Sequence, residues 1–182
     1  MVETQTEQRI VPPDQWIEQH NQQLEQFLGS IDFESLPPEE ILGWASATFP
    51  GKAVINTSFQ HTGVAMIHMA AAMELDLRVS TVDTLRLHPE TYEFIKRIKK
   101  RYQCDIEVYR PEPEHVESMI DRFGEYLFFD SKEKQEYCCQ VRKTRPNDRL
   151  LKTVDCWISG LRRDQSSFRQ DRAPKASLVP EY

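Results

Sequence analysis

Four short β-rich runs, spaced by stretches able to form helices, constrain this chain more than any other feature of its sequence. The runs are residues 52–57 (KAVINT), 77–82 (LRVSTV), 105–109 (DIEVY) and 154–159 (VDCWIS). Between them lie an apolar helical stretch at 64–73 and a helix at 89–102 with Tyr92, Ile95, Ile98 and Tyr102 on one face. A helix near 114–123 and a cysteine-bearing helical segment at 132–151 follow. Strands that alternate with helices of ten or more residues pair in parallel, because each helix carries the chain back over the sheet. The expected fold class is α/β, a mostly parallel sheet flanked by helices in the Rossmann-like manner.

Two helices precede the first strand. Residues 14–28 place Trp16, Ile17, Leu24, Phe27 and Leu28 at near-helical spacing after Pro12-Pro13. Pro37-Pro38-Glu39-Glu40 opens the second, which runs through Ile41, Leu42, Trp44 and Ala45 until Phe49-Pro50-Gly51 breaks it. Residues from Arg162 onward are polar and without periodicity, and read as a loop lacking a surface to pack on. The reading therefore divides the chain into a helical segment at 1–50, an α/β domain at 51–165 and an unpacked tail at 166–182.

At 182 residues the chain suits one ordinary domain. No apolar run approaches the roughly 18 residues of a membrane helix. The start, Met1-Val2-Glu3-Thr4-Gln5, lacks the basic-then-apolar pattern of a secretory signal. The expectation is a cytoplasmic chain without a membrane partner. Its net charge of −6 is unevenly spread. Residues 1–50 hold nine acidic side chains against Arg9, whereas 131–175 hold twelve Lys or Arg against six Asp or Glu. That basic half could face a small anion, while the acidic total argues against a nucleic-acid partner.

The four cysteines, Cys104, Cys138, Cys139 and Cys156, are expected to stay free or to bind metal in a reducing compartment. Adjacent Cys138 and Cys139 are poor disulfide partners for each other. Cys104 and Cys156 read as small apolar core thiols, and His68 as a core residue of an apolar helix. The run from Glu125 to Asp130 reads as a core-filling turn. No spacing of His, Cys and Asp matches zinc, and no Ser-His-Asp arrangement is legible.

In open α/β sheets ligands bind outside the carboxyl ends of the strands. The segments at those ends include 57–63 (TSFQHTG), 83–88 (DTLRLH) and 160–165 (GLRRDQ). The first supplies hydroxyls and small residues before a helix start, where N–H groups attract phosphate or sulfate. There is neither a Walker lysine nor a glycine triplet, and Ser58 and Thr62 read equally well as turn and capping residues. His61 and His88 fall in the same crevice and could hydrogen-bond a substrate, but no carboxylate partner marks either as an acid or base.

Three stretches, VDTLRLHPETY (82–92), EYCC with Arg142-Lys143, and WISGLRRDQS (157–166), resemble assimilatory adenylylsulfate (APS) reductases, in the family shared with phosphoadenylylsulfate (PAPS) reductases. The resemblance covers roughly residues 50–170, and the double cysteine is its most specific part. It implies a nucleotide-binding α/β sheet of the adenine nucleotide α-hydrolase type, and reduction of APS to sulfite and AMP with thioredoxin as electron donor. By the same resemblance, Ser58, Gln60, Thr62 and Gly63 belong to a modified pyrophosphate loop. Asp83, Thr84, Leu85 and Arg86 line the adenosine pocket, and Gly160, Arg162 and Arg163 meet the phosphosulfate. Guanidinium forks and loop amides suit such an anion.

Cys138 and Cys139 resemble two of the four thiolate ligands of a 4Fe-4S cluster, the feature that separates APS from PAPS enzymes, and Lys143 resembles the family lysine between cluster and substrate. The family's second pair, a Cys-x-x-Cys, and its C-terminal nucleophilic cysteine have no counterpart among the 182 residues, in which no Cys follows Cys156. The expectation is a C-terminally truncated APS reductase, inactive alone. The alternatives are a non-catalytic fragment that binds APS or AMP, and a PAPS reductase. Self-association stays open.

Overall fold

The structure, a computed structural model, describes residues 13–170 and 173–179. The first residues, read above for a signal, lie outside that set. The elements follow in chain order as α1 (Pro13–Gly29), α2 (Pro38–Thr48), β1 (Ala53–Asn56), α3 (His61–Ala72) and β2 (Arg78–Val82). After these come α4 (Pro89–Tyr102), β3 (Ile106–Tyr109), α5 (Pro113–Phe123), α6 (Lys132–Cys139), α7 (Arg145–Leu151), β4 (Cys156–Ser159) and the short α8 (Ser167–Gln170). All four strands are parallel and lie in the order β3-β2-β1-β4. The α/β expectation holds.

Helices α2, α4 and α5 each start on a proline, whose missing N–H costs nothing in the first turn, with a glutamate close behind. The register places Ile55 beside Val79, Val79 beside Ile106, and Ile158 beside Ile55, so these side chains form one row on one face of the sheet. Leu42 of α2, Ile67 of α3, and Ile95 and Ile98 of α4 close over that row. Burying each such side chain contributes about 1.5–3 kcal/mol. Asn56 and Ser80 point to the opposite face, where Asn56 Nδ2 donates to Asn147 Oδ1 of α7 at 2.8 Å. A second cluster, Val116, Met119, Leu127, Cys138 and Val141, joins α5 to α6.

The chain divides into two compact units, residues 1–36 with 174–182, and Pro37–Ala173. The boundaries differ from those drawn on the sequence at 50 and 165. Helix α2 belongs with the sheet because Leu42 and Ala45 are buried in that unit. The tail is likewise not bare: Lys175 Nζ donates to the Glu34 and Leu36 carbonyls at 2.8 and 2.7 Å, within the smaller unit.

The stretch at 132–151, read as one helix, changes pitch in the middle. Residues Gln140–Thr144 form a π turn, closed by the Arg145 N–H donating to the carbonyl of Gln140, five residues back. Pro146 explains it. Its ring would collide with the carbonyl four residues earlier, and a widened turn removes the clash without ending the helix. His68 corrects another reading: it is exposed and lies 5.9 Å from the Tyr102 ring. In the Glu125–Asp130 run only Leu127 is fully buried, whereas Tyr126 and Phe129 are exposed. Among the described residues no helix is long and apolar enough to cross a membrane.

Candidate active site

The strand order reverses between β1 and β4, since β1 leads outward to β2 and β3 on one side and to β4 on the other. A crevice opens at such a switch point, and two loops meet there. Thr57, at the end of β1, is buried and its Oγ1 accepts from the Phe59 N–H at 2.9 Å. Phe59 has φ 60°, a left-handed conformation, and its buried ring sits edge-on to Phe94 at 6.5 Å. Core packing thus holds a strained residue, and the strain brings the chain sharply round into α3.

Gly63, in the first turn of α3, lies so close that a Cβ would stand 1.9 Å from Thr57 Oγ1. At Gly160, following β4, a Cβ would stand 2.6 Å from Thr62 Oγ1 and 3.3 Å from the Gly63 nitrogen. Only hydrogen fits at either position. Thr62 Oγ1 then donates to the Gly160 carbonyl at 3.0 Å, tying the two loops. Ser58, Gln60 and His61 are exposed on the β1 side, and Arg162 meets His61 from the β4 side. Arg162 Nε donates to Asp164 Oδ1 at 2.8 Å, and its Nη1 contacts His61 Nε2. Arg163 is exposed and its Nε donates to the Ala173 carbonyl at 3.0 Å.

The segment after β2 is built around Asp83, 2% exposed. Its carboxylate accepts from the Leu85 N–H at 2.9 Å, the Tyr92 hydroxyl at 2.8 Å and Arg110 Nε at 3.0 Å. Burial by itself would raise this carboxyl, but the hydrogen bonds from Leu85, Arg110 and Tyr92 outweigh it and hold it below its ordinary value. Asp83 therefore shapes the loop from inside. Leu85, with φ 61°, is the exposed tip. Arg86 lies over the Tyr126 and Phe128 rings at 5.3 and 5.0 Å and donates to the Glu125 carbonyl at 2.6 Å.

The cysteine pair falls at the end of α6. Cys138 is buried among Val116, Met119, Leu127 and Val141, while Cys139 and Lys143 are exposed. Arg142, in the π turn, reaches the loop after β2, where its Nη1 donates to the Thr84 carbonyl at 3.1 Å. Arg142 is 6% exposed, and neither a carboxylate nor any acceptor for its Nε lies beside it among the described residues. A buried cation without a counter-charge is costly. A negatively charged group bound at the cysteine pair would offset it, so the donor chemistry fits an anionic metal cluster as far as these side chains go. Among the described residues no three metal-binding side chains gather.

Cys104 precedes β3 and Cys156 begins β4, beside Ala53, so both lie at the end of the sheet opposite the crevice. Burial pushes the Cys156 thiol up to about 11. Sequence reasoning placed His61 in the crevice without its partner Arg162, named Arg142 only beside the cysteine pair, and assigned no role to Arg110 or Asn147. His61 was visible as a histidine before a helix start. The contacts of the other three depend on chain crossings that no local pattern announces.

A parallel sheet of this order, with an anion-suited loop and an arginine at its switch point, defines a Rossmann-like α/β protein. The comparisons narrow the class. Residues 52–176 match the phosphoadenosine phosphosulfate reductase domain. The chain is 35% identical over 129 residues to the adenosine 5'-phosphosulfate reductase of Pseudomonas aeruginosa (strain LESB58), covering 71% of this chain and 47% of that one. It is 30% identical over 147 residues to the phosphoadenosine 5'-phosphosulfate reductase of Synechocystis, covering 79% and 58%. The crystal structure of phosphoadenylyl-sulfate reductase from Candida auris, a phosphate complex, is similar with a TM-score of 0.58 and 25% identity over 84% of this chain and 70% of that one. This chain belongs to the phosphoadenosine phosphosulfate reductase family. It spans between about a third and three-fifths of the curated relatives' lengths.

Proposed function

We propose that the chain is the sulfonucleotide-binding part of an adenylylsulfate reductase. The observation that carries this reading is the meeting at the β1/β4 switch of a hydroxyl-rich loop, interlocked through Gly63 and Gly160, with the guanidinium of Arg162. Arg162 is fixed by Asp164 on one side, leaving its Nη1 edge for an anionic oxygen of the phosphosulfate. Ser58, Gln60 and the first N–H groups of α3 add donors on the facing loop. Asp83 holds the Leu85 tip in shape on the adenosine side, and Arg163 and Lys143 add positive charge.

In the family reaction a cysteine thiolate attacks the sulfur of APS, the sulfur–oxygen bond to phosphate breaks, and AMP leaves. The thioredoxin dithiol then releases sulfite from the S-sulfocysteine and is itself oxidised to the disulfide. Neither Cys104 nor Cys156 stands at the crevice, so the nucleophile in this reading comes from chain outside the 182 residues. Cys138 and Cys139 would hold two corners of a 4Fe-4S cluster, which when bound supplies a fixed charge that tunes neighbouring basic groups and substrate. The cysteine pair favours APS over PAPS.

A second reading, binding without turnover, is favoured by the placement of Cys104 and Cys156. Sulfite release and calorimetry separate the two. The chain should bind APS and AMP yet release no sulfite with reduced thioredoxin, and a longer version carrying the family's C-terminal cysteines should turn APS over in preference to PAPS. A longer version that fails to turn APS over supports binding alone, and preference for PAPS would overturn the substrate. Robust turnover by the 182 residues would overturn the placement of the nucleophile.

A further inference from the structure

We infer that His61 couples anion binding in the crevice to uptake of a proton, an inference that rests on the sulfonucleotide reading and adds a residue to it. His61 Nε2 faces Nη1 of Arg162, and a guanidinium can only donate. The ring nitrogen is therefore the acceptor and carries no proton in this pairing. Arg162 cannot turn away easily, because Asp164 grips it through Oδ1 at 2.8 Å and Oδ2 at 3.3 Å. The first turn of α3 brings no carboxylate of its own to His61. The charged groups that face the ring are thus Arg162 and, through it, Asp164.

An anionic oxygen is a better acceptor for Nη1 than a neutral ring nitrogen. Once the phosphosulfate takes that donor, His61 gains an anion as neighbour. It then takes a proton from solvent and becomes a further cationic contact. Histidine is the side chain able to do this near neutral pH. Linkage is reciprocal, so affinity for the anion rises as pH falls through the histidine range. Gln60 or Ser58 in the same loop could donate to the anion but could not link its binding to protons.

The test uses adenylylsulfate, whose phosphosulfate does not itself titrate in this range, and inorganic sulfate as a second probe. Calorimetry near neutral pH in two buffers of different ionisation enthalpy reads protons taken up per ligand. The wild-type chain should take up a fraction of a proton. His61→Gln should take up none and bind about 3–10-fold more weakly, the loss of one contact. Equal proton uptake by wild type and His61→Gln would overturn the inference. Proton-linked binding of sulfate without binding of adenylylsulfate would sink the sulfonucleotide reading and keep the linkage. Failure of both anions to bind with proton uptake would end it.

Discussion

The crevice at the β1/β4 switch and the cysteine-bearing π turn differ in how far each satisfies its own side chains. In the crevice every close approach has an answer within the chain: glycine where the backbones touch, Thr62 across to Gly160, Asp164 behind Arg162. At the π turn a buried guanidinium has one hydrogen bond, to Thr84, and a thiol pair has no further ligands beside it among the described residues. A region that is complete by itself is held by shape. A region that is incomplete by itself points to what else must bind, and mutations should behave oppositely in the two.

The largest effect should come from filling the space between the loops. Gly63→Ala puts a methyl group 1.9 Å from Thr57 Oγ1 and 2.8 Å from its Cβ, and Thr57 is buried with no room to withdraw. We expect a loss of about 3 kcal/mol in urea unfolding, the upper part of the range for overpacking, together with loss of AMP binding. Gly63→Ala combined with Thr57→Ala should recover part of the stability, since the nearer of the two clashing atoms is removed. A wild-type unfolding midpoint in the single variant would show that the loops are not interlocked.

Asp83→Asn comes next. The carboxylate accepts from a backbone N–H, a hydroxyl and a guanidinium, and the amide keeps the size but loses the charge and one acceptor, so about 2 kcal/mol should be lost. The pH dependence follows from the lowered carboxyl. Its contribution is fully present above the ordinary aspartate range near pH 4 and is lost as pH falls through the lower folded value. Unfolding followed from pH 6 down to pH 2 should be flatter for Asp83→Asn than for wild type over the acid limb. Parallel curves would mean that Asp83 is not the buried anion of this loop.

Much of the frame behind these effects is legible in the sequence, because strand and helix periodicities and proline starts are local signals. The parallel sheet, the helix beginning at Pro89 and the crevice at the strand ends all follow from them. The site is legible mainly through resemblance, which pointed to Gly63, Gly160 and Arg162 without saying what each touches. What stays hidden is set by distant partners. Pro146 is written plainly inside a helical stretch, yet whether the chain kinks, stops or widens into a π turn depends on the packing of Val141, Pro146 and Leu150 against the rest of the chain. His68 sits on an apolar helix but on the side that the sheet does not cover, where Tyr102 meets it.

A smaller, stabilising effect is expected at the tip of the loop after β2. Leu85 holds φ 61° with its side chain 46% exposed, so it carries backbone strain with little burial to offset it. Leu85→Gly should raise stability by up to about 1 kcal/mol, the cost of a left-handed non-glycine residue less the unfolded-state entropy that glycine adds. A fall in the unfolding midpoint would mean that the leucine packs on something that holds the tip.

The smallest change is the one that most sharpens the contrast between the two regions. Arg142→Met removes a cation that is 6% exposed and has no counter-charge beside it among the described residues, and it puts an apolar chain of similar reach in its place. It also forfeits the bond to the Thr84 carbonyl. The relief of a buried unpaired charge and the loss of one charged hydrogen bond are of similar size and opposite sign, so the unfolding free energy should move by less than about 1 kcal/mol, upward if at all. In the crevice no such tolerance is expected at Gly63, Thr62 and Arg162, which already meet their partners within the chain. If Arg142→Met lost 3 kcal/mol or more, the range for breaking a paired buried charge, Arg142 would be compensated within the chain after all, and the π turn would be as complete as the loops it was contrasted with.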